Sequence, residues 1–227
     1  LRHGLPLFAI HHLEGHLASV RAVAEPEWPM VALIASGGHT EIVRCDGWGE
    51  YRIVGETRDD AAGEAFDKAA RLLGLGYPGG PAIARAASSG RPRYPLPKGL
   101  SGDTVEFSFS GLKTAVLRLV ESTSDLDVAD AAASVQDAIV GVLAERTLRA
   151  AEREGARSVA LVGGVAANAR LRERLAESAA RDGLPFLVPP ISLCTDNAAM
   201  IGLAATARPH PSSYRPSVLS NAELPAR

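Results

Sequence analysis

Ser158-Val159-Ala160-Leu161-Val162-Gly163-Gly164-Val165-Ala166-Ala167-Asn168 is the stretch that decides the fold. Four apolar residues in a row after Ser158 suit a strand buried on both faces, and the glycine pair ends it. A helix is expected next, over Ala166–Ala180, then a strand over Phe186–Val188 and a helix over Asn197–Thr206. Strand alternating with helix in this way points to an α/β lobe with a partly parallel sheet. Upstream, Val128–Glu154 is Ala-rich, with apolar residues at helical spacing.

Further upstream, Val31–Ala35 is a second continuous apolar run, followed by Ser36-Gly37-Gly38. Glu41–Cys45 and Tyr51–Val54 read as strands, joined through turns at Gly37-Gly38 and Gly47–Gly49. Asp59 or Asp60 can cap a helix over Ala61–Leu73 that Gly74 and Gly76 stop, and Tyr77–Pro81 is a turn cluster. Ser88–Gly102 reads as a surface loop, Phe107–Phe109 as a brief strand and Leu112–Val120 as a helix. Near the start, Leu7–Ile10 is a strand candidate and His11–Ala24 a helix. From Pro209 onward the chain reads as a loose tail.

The 227 residues amount to about one and a half domains at ~150 residues each. Hydrophobic residues at 46% and charged residues at 22% exclude a disordered chain. The apolar runs fall far short of the ~18 residues that span a bilayer, so no membrane association is expected. A net charge of −2 gives no support for a dedicated basic nucleic-acid module, though a local basic face stays open. Two cysteines, Cys45 and Cys194, form no CxxC, which makes a reducing cytoplasm the default. The first residues contain no signal-peptide core and no initiator methionine, so the chain is expected to start partway through a longer protein.

Five of the six histidines lie within the first 39 residues. His12 and His16 stand at i and i+4, which on a helix places two imidazoles on one face, a spacing suited to one metal ion. Neither zincin pattern is met: Leu13 follows the first histidine and Gly15 precedes the second. The alternative is a pair of surface or capping histidines. Asp196 is a candidate third ligand, or an ordinary N-cap. The turns Ser36–Gly38 and Gly163-Gly164 are either tight connections or backbone cradles for phosphate. Asn168 could then reach a sugar or carbonyl. Asp67 is either a salt-bridge partner of Arg71 or an acceptor for ribose hydroxyls, with the Gly79-Gly80 turn nearby.

Eight motifs then stand in a telling order. They are His12–His16 (HLEGH), Ser36–Thr40 (SGGHT), Gly55–Asp60 (GETRDD), Ala65–Lys68 (AFDK), Tyr77–Gly80 (YPGG), Phe107–Lys113 (FSFSGLK), Gly163–Asn168 (GGVAAN) and Cys194–Asn197 (CTDN). Up to about Thr206 the chain closely resembles the TsaD family of tRNA threonylcarbamoyltransferases, once called glycoproteases. The resemblance implies an α/β fold of the actin/hexokinase (ASKHA) type, with two lobes of which the N-terminal one is incomplete here. It implies a division into 1–30 (remnant of the N-terminal lobe), 31–191 (C-terminal lobe), 192–207 (a returning helix) and 208–227 (a flexible tail).

The implied reaction moves a threonylcarbamoyl group from threonylcarbamoyl-AMP to N6 of the adenosine after the anticodon, in tRNAs reading codons that begin with adenosine. By motif position His12, His16 and Asp196 are the implied ligands of one iron (Fe2+), or zinc. Ile34, Ala35, Ser36, Gly37, Gly38, Asp67, Gly80 and Asn168 are the implied contacts of threonylcarbamoyl-AMP or ATP. Ala84 stands where some relatives have a nucleotide-binding Asp, so that contact is not carried over. No residue is assigned as general base. Implied partners are tRNA, TsaB-like and TsaE-like proteins and a TsaC-like synthase, in the cytoplasm. The alternatives are a carbamoyltransferase acting on a small molecule or maturation protein, and a non-catalytic nucleotide-binding subunit.

Overall fold

The computed structural model describes residue 3 and residues 5–207; the expected tail over 208–227 lies outside the described residues. The element order begins with α1 (His12–Ala18), a 3-10 turn (Ser19–Ala22), β1 (Met30–Ala35), β2 (Thr40–Gly47) and β3 (Glu50–Glu56). Four helices follow: α2 (Ala62–Leu72), α3 (Gly79–Ala87), α4 (Ser110–Ser122) and α5 (Val128–Arg153). The chain then runs through β4 (Ser158–Val162), α6 (Ala169–Arg181), β5 (Phe186–Leu187) and α7 (Ala198–Thr206).

The strands form one sheet in the order β3-β2-β1-β4-β5. The β1–β2 and β2–β3 pairs are antiparallel, whereas β4 lies parallel to β1 and β5 parallel to β4. The sheet is therefore half meander and half crossover, as the sequence alternation requires.

β1 is buried along its whole length because both faces of the sheet are covered. Val31, Leu33 and Ala35 enter the larger core, which α2 to α6 close over. Met30, Ala32 and Ile34 point the other way, into a smaller core with Leu13, Leu17 and Val20 from α1 and its 3-10 extension. Alternation at period two thus feeds two cores from one strand. Burying each of these large aliphatic side chains contributes about 1.5–3 kcal/mol.

Several local expectations are corrected. Leu7–Ile10 forms no strand. Phe107 makes a single bridge with Thr57 rather than a strand, its backbone pairing with Glu56 and Arg58. The Tyr77–Pro81 turn already contains the start of α3, and Pro81 fits because a first helical turn needs no partner for its missing N–H. Neither Asp59 nor Asp60 caps α2. The Thr40 hydroxyl oxygen accepts from the Ala62 amide at 2.8 Å instead. Asp59 reaches across to the start of α4, accepting from the Phe109 and Ser110 amides and both adjacent serine hydroxyls. The helix after Gly163-Gly164 begins at Ala169, preceded by a 3-10 turn over Gly164–Ala167. No described helix is long and apolar enough to cross a membrane.

Candidate metal centre and adjoining cleft

α1 sends Leu13 and Leu17 into the smaller core, which leaves His12 and His16 turned toward α7. The two helices meet at Gly15. A Cβ there would lie 2.9 Å from Ile201 Cδ1 and 3.2 Å from Met200 Cγ, so the helices cross closely at the glycine and a larger residue would have to displace those side chains. At the start of α7 the N-cap is Asn197, whose side-chain oxygen accepts from the Met200 amide at 2.9 Å. Asp196 is thereby relieved of capping and free to face the histidines. Its Oδ1 lies 3.3 Å from His12 Nε2 and 3.2 Å from His16 Nε2. The three ligand atoms all fall within 4.8 Å of one another.

This arrangement fits a metal ion. His16 is 1% exposed, its Nδ1 lacks a hydrogen-bond partner, and its Nε2 has only the exposed Asp196 carboxylate beside it at 3.2 Å. A buried imidazole so sparsely partnered costs free energy unless something else engages its free nitrogen. Burial first, and the His12 charge second, push the His16 pKa below its ordinary value, with Asp196 opposing. The imidazole is thus kept in the neutral form that ligates metals. Two nitrogens and one carboxylate oxygen form a borderline donor set, suited to iron or zinc, and leave coordination positions open.

A cleft of about 520 Å³ adjoins the triad, lined by His12, Thr195 and Asp196 on one side and by Ser36–His39 and Gly164 on the other. The Ser36–His39 turn is closed twice: the Ser36 amide donates to the His39 carbonyl at 2.8 Å, and the His39 amide to the Ser36 hydroxyl at 3.1 Å. A Cβ on Gly37 or Gly38 would meet nothing within 4 Å, so their backbones stay open to a ligand. Gly63, in the first turn of α2, donates to the Ser36 carbonyl at 3.1 Å, and a Cβ there would strike it. Behind the second turn, Gly163 adopts φ +92° against the Ala35 carbonyl.

The remaining implied contacts are placed differently. Ile34 and Ala35 have fully buried side chains and can offer a ligand only backbone. Asp67 Oδ1 accepts from the Gly79 amide at 2.7 Å, which ties α2 to the start of α3; it makes no ion pair with Arg71. Gly80 has open space where a Cβ would stand. The Asn168 side chain is used at both ends, capping α6 through Leu171 and donating to Gln136 at 3.0 Å. Asp67, Gly80 and Asn168 are not among the residues lining the cleft beside the triad. The structure adds two lining residues to which the sequence reading gave no role, His39 and Thr195. Both sit inside quoted motifs, which was the only signal available. Burial and the neighbouring His12 also push the His39 pKa down.

Sheet order, layering and the His–His–Asp cleft together define an α/β protein of the actin/hexokinase type with a candidate metal site. Solved structures bear out the fold. Full-length HypF in its phosphate- and nucleotide-bound form superposes with a TM-score of 0.69 at 15% identity, covering 90% of this chain and 36% of that one. Component A of the (R)-2-hydroxyglutaryl-CoA dehydratase of Acidaminococcus fermentans gives 0.52 at 18% identity, covering 86% and 66%. Residues 1–203 match the family model of TsaD, tRNA N6-adenosine threonylcarbamoyltransferase, and the chain belongs to that family. A tRNA N6-adenosine threonylcarbamoyltransferase of Bordetella bronchiseptica is 54% identical over 215 residues, covering 90% of this chain and 62% of that protein. One from a Synechococcus strain is 53% identical over 210 residues, covering 90% and 57%. The chain therefore spans about 57–62% of the length of these curated relatives.

Proposed function

We propose that the chain carries the metal and acyl-adenylate half of a tRNA threonylcarbamoyltransferase. It would take the threonylcarbamoyl group from threonylcarbamoyl-AMP to N6 of the adenosine following the anticodon. The single observation that carries this reading is the convergence of His12, His16 and Asp196 across a cleft from the Ser36–Gly38 and Gly164 turns. The acyl group on AMP is already activated, so no covalent protein nucleophile is required.

Within this reading the open backbone of Gly37, Gly38 and Gly164 binds the phosphate and carbonyl end of the acyl-adenylate, and places the carbonyl for attack. Asp67, Gly80, Asn168 and the backbone of Ile34 and Ala35 support the nucleoside. His12, His16 and Asp196 hold iron, or zinc. When bound, the metal supplies Lewis acidity and a template for the threonylcarbamoyl oxygens. Residues 1–30 and 192–207 then serve as the metal-bearing part, and 31–191 as the nucleotide-bearing lobe. Partners are tRNA, TsaB-like and TsaE-like proteins and a TsaC-like source of the acyl-adenylate, all in the cytoplasm.

The test is reconstitution with tRNA, threonine, bicarbonate, ATP and the partner proteins, with the modified nucleoside read by mass spectrometry. Formation of threonylcarbamoyladenosine supports the reading, and a chain that binds neither metal nor AMP refutes it. Full activity retained in both His12→Ala and His16→Ala would remove the metal from the reaction.

A further inference from the structure

Arg172, on the first turns of α6, touches neither the candidate metal ligands nor the cleft lining. Its guanidinium nevertheless joins the two segments that must be held in register for the site to exist. Nε donates to the carbonyl of Ala166, inside the 3-10 turn that begins at Gly164. Nη2 donates to the Pro189 carbonyl at 2.8 Å and to Cys194 Sγ at 2.9 Å. Cys194 is fully buried, and its thiol also approaches the Pro190 carbonyl at 3.4 Å. Asp196 follows two residues later. One planar, always-charged fork thus bridges the glycine turn and the loop that delivers the carboxylate ligand.

We propose that Arg172 is a positioning residue that sets the Asp196 loop against the Gly164 turn. It thereby tunes metal affinity and the spacing between metal and nucleotide. This role presupposes the metal assignment to His12, His16 and Asp196. Three acceptors on two segments require the fixed geometry of a guanidinium; a lysine ammonium on a flexible stem cannot meet them together. Outer partners that orient ligands typically alter metal affinity by roughly 10- to 100-fold. Because Arg172 acts on the loop rather than on a ligand atom, about tenfold is expected.

Arg146 supplies the control. It is 3% exposed and also ties a loop, donating to the carbonyls of Leu100, Thr104 and Glu106. None of its partners lies in the cleft. Cobalt(II) would be titrated into the metal-free chain, followed by absorption, for the parent protein and the His12→Ala, Arg172→Lys, Arg172→Met and Arg146→Lys variants. Circular dichroism would report that each is folded. Expected is a roughly tenfold weaker cobalt affinity in both Arg172 variants, and the parent affinity in Arg146→Lys. If Arg172→Met does not fold, Arg172→Lys decides. A folded Arg172→Lys protein with the parent's affinity overturns the proposal, as does an equal loss in Arg146→Lys. A parent that binds no cobalt, or binds it no better than His12→Ala does, instead strikes the metal assignment beneath it.

Discussion

Replacing Gly163 by alanine separates scaffold from site within one glycine pair. Gly163 holds φ +92° and ψ 171°, a region that L residues occupy at a cost of about 1–3 kcal/mol. A Cβ there would stand 2.4 Å from the Ala35 carbonyl oxygen, against the 3.0 Å below which real Cβ contacts essentially never fall. Relief requires a shift of at least 0.6 Å (3.0 − 2.4) between the ends of β4 and β1. β1 is buried on both faces and cannot give cheaply, so overpacking adds about 1–3 kcal/mol. The total is about 2–6 kcal/mol. At 2–4 °C per kcal/mol for a chain of this size, Tm should fall by about 4–24 °C. Gly164→Ala is the companion variant: its φ is unremarkable and a Cβ would meet nothing within 4 Å. Its stability should stay within about 0.5 kcal/mol of the parent, while AMP binding weakens because the residue lines the cleft. Urea unfolding and calorimetric AMP titration read both quantities. A Gly163→Ala protein that unfolds within about 1 kcal/mol of the parent, or a Gly164→Ala protein equally destabilised, would overturn this division of roles.

Three further outcomes are expected. Iron or zinc at a hundred times its Kd should stabilise the chain by about 2.7 kcal/mol, and a chelator or His16→Ala should abolish that gain in a melting experiment. In the metal-free protein His16 is held neutral by burial, so below its unfolded pKa the unfolded chain binds more protons; stability should be full above about pH 6.5 and fall as pH drops toward the lowered folded value, a slope that His16→Asn should flatten. Burial raises the Asp59 pKa, but hydrogen bonds from Ser108, Phe109 and Ser110 outweigh it and hold the carboxyl below its usual range. Asp59→Ala should therefore cost about 1–2 kcal/mol at neutral pH by urea titration. The cost should vanish in acid, as pH falls through the folded pKa.

The sheet was legible because its strands carry unambiguous patterns. Val31–Ala35 and Val159–Val162 are continuous apolar runs followed by glycine turns, and each lies in a fully buried strand. What failed was whatever depends on a distant partner. Asp59 looked like the cap of the helix beside it, and it serves α4 some fifty positions on. α3 was hidden because Gly79, Gly80 and Pro81 are turn residues by local preference, although proline and close-packed glycine suit a first helical turn. Gly79 is forced by tertiary contact, since a Cβ would meet Asp67 Cα at 2.4 Å. At the site, the i, i+4 histidine spacing was readable, but the role of Asp196 was not separable from that of Asn197. One of the two had to cap α7, and only the fold shows that it is Asn197. His39 entered the cleft through a turn closed by Ser36, a bond that no spacing rule announces.

The crossing of α1 and α7 at Gly15 has a consequence in time. His16 and Asp196 are separated by 180 positions (196 − 16), so the carboxylate leaves the ribosome long after the two histidines. At ~5–20 residues per second the interval is on the order of ten to forty seconds. Throughout it the two histidines are an unfinished pair, and the carboxylate that completes them does not yet exist. In the proposed metal site the full ligand set exists only once α7 has docked against α1, so loading would report that docking.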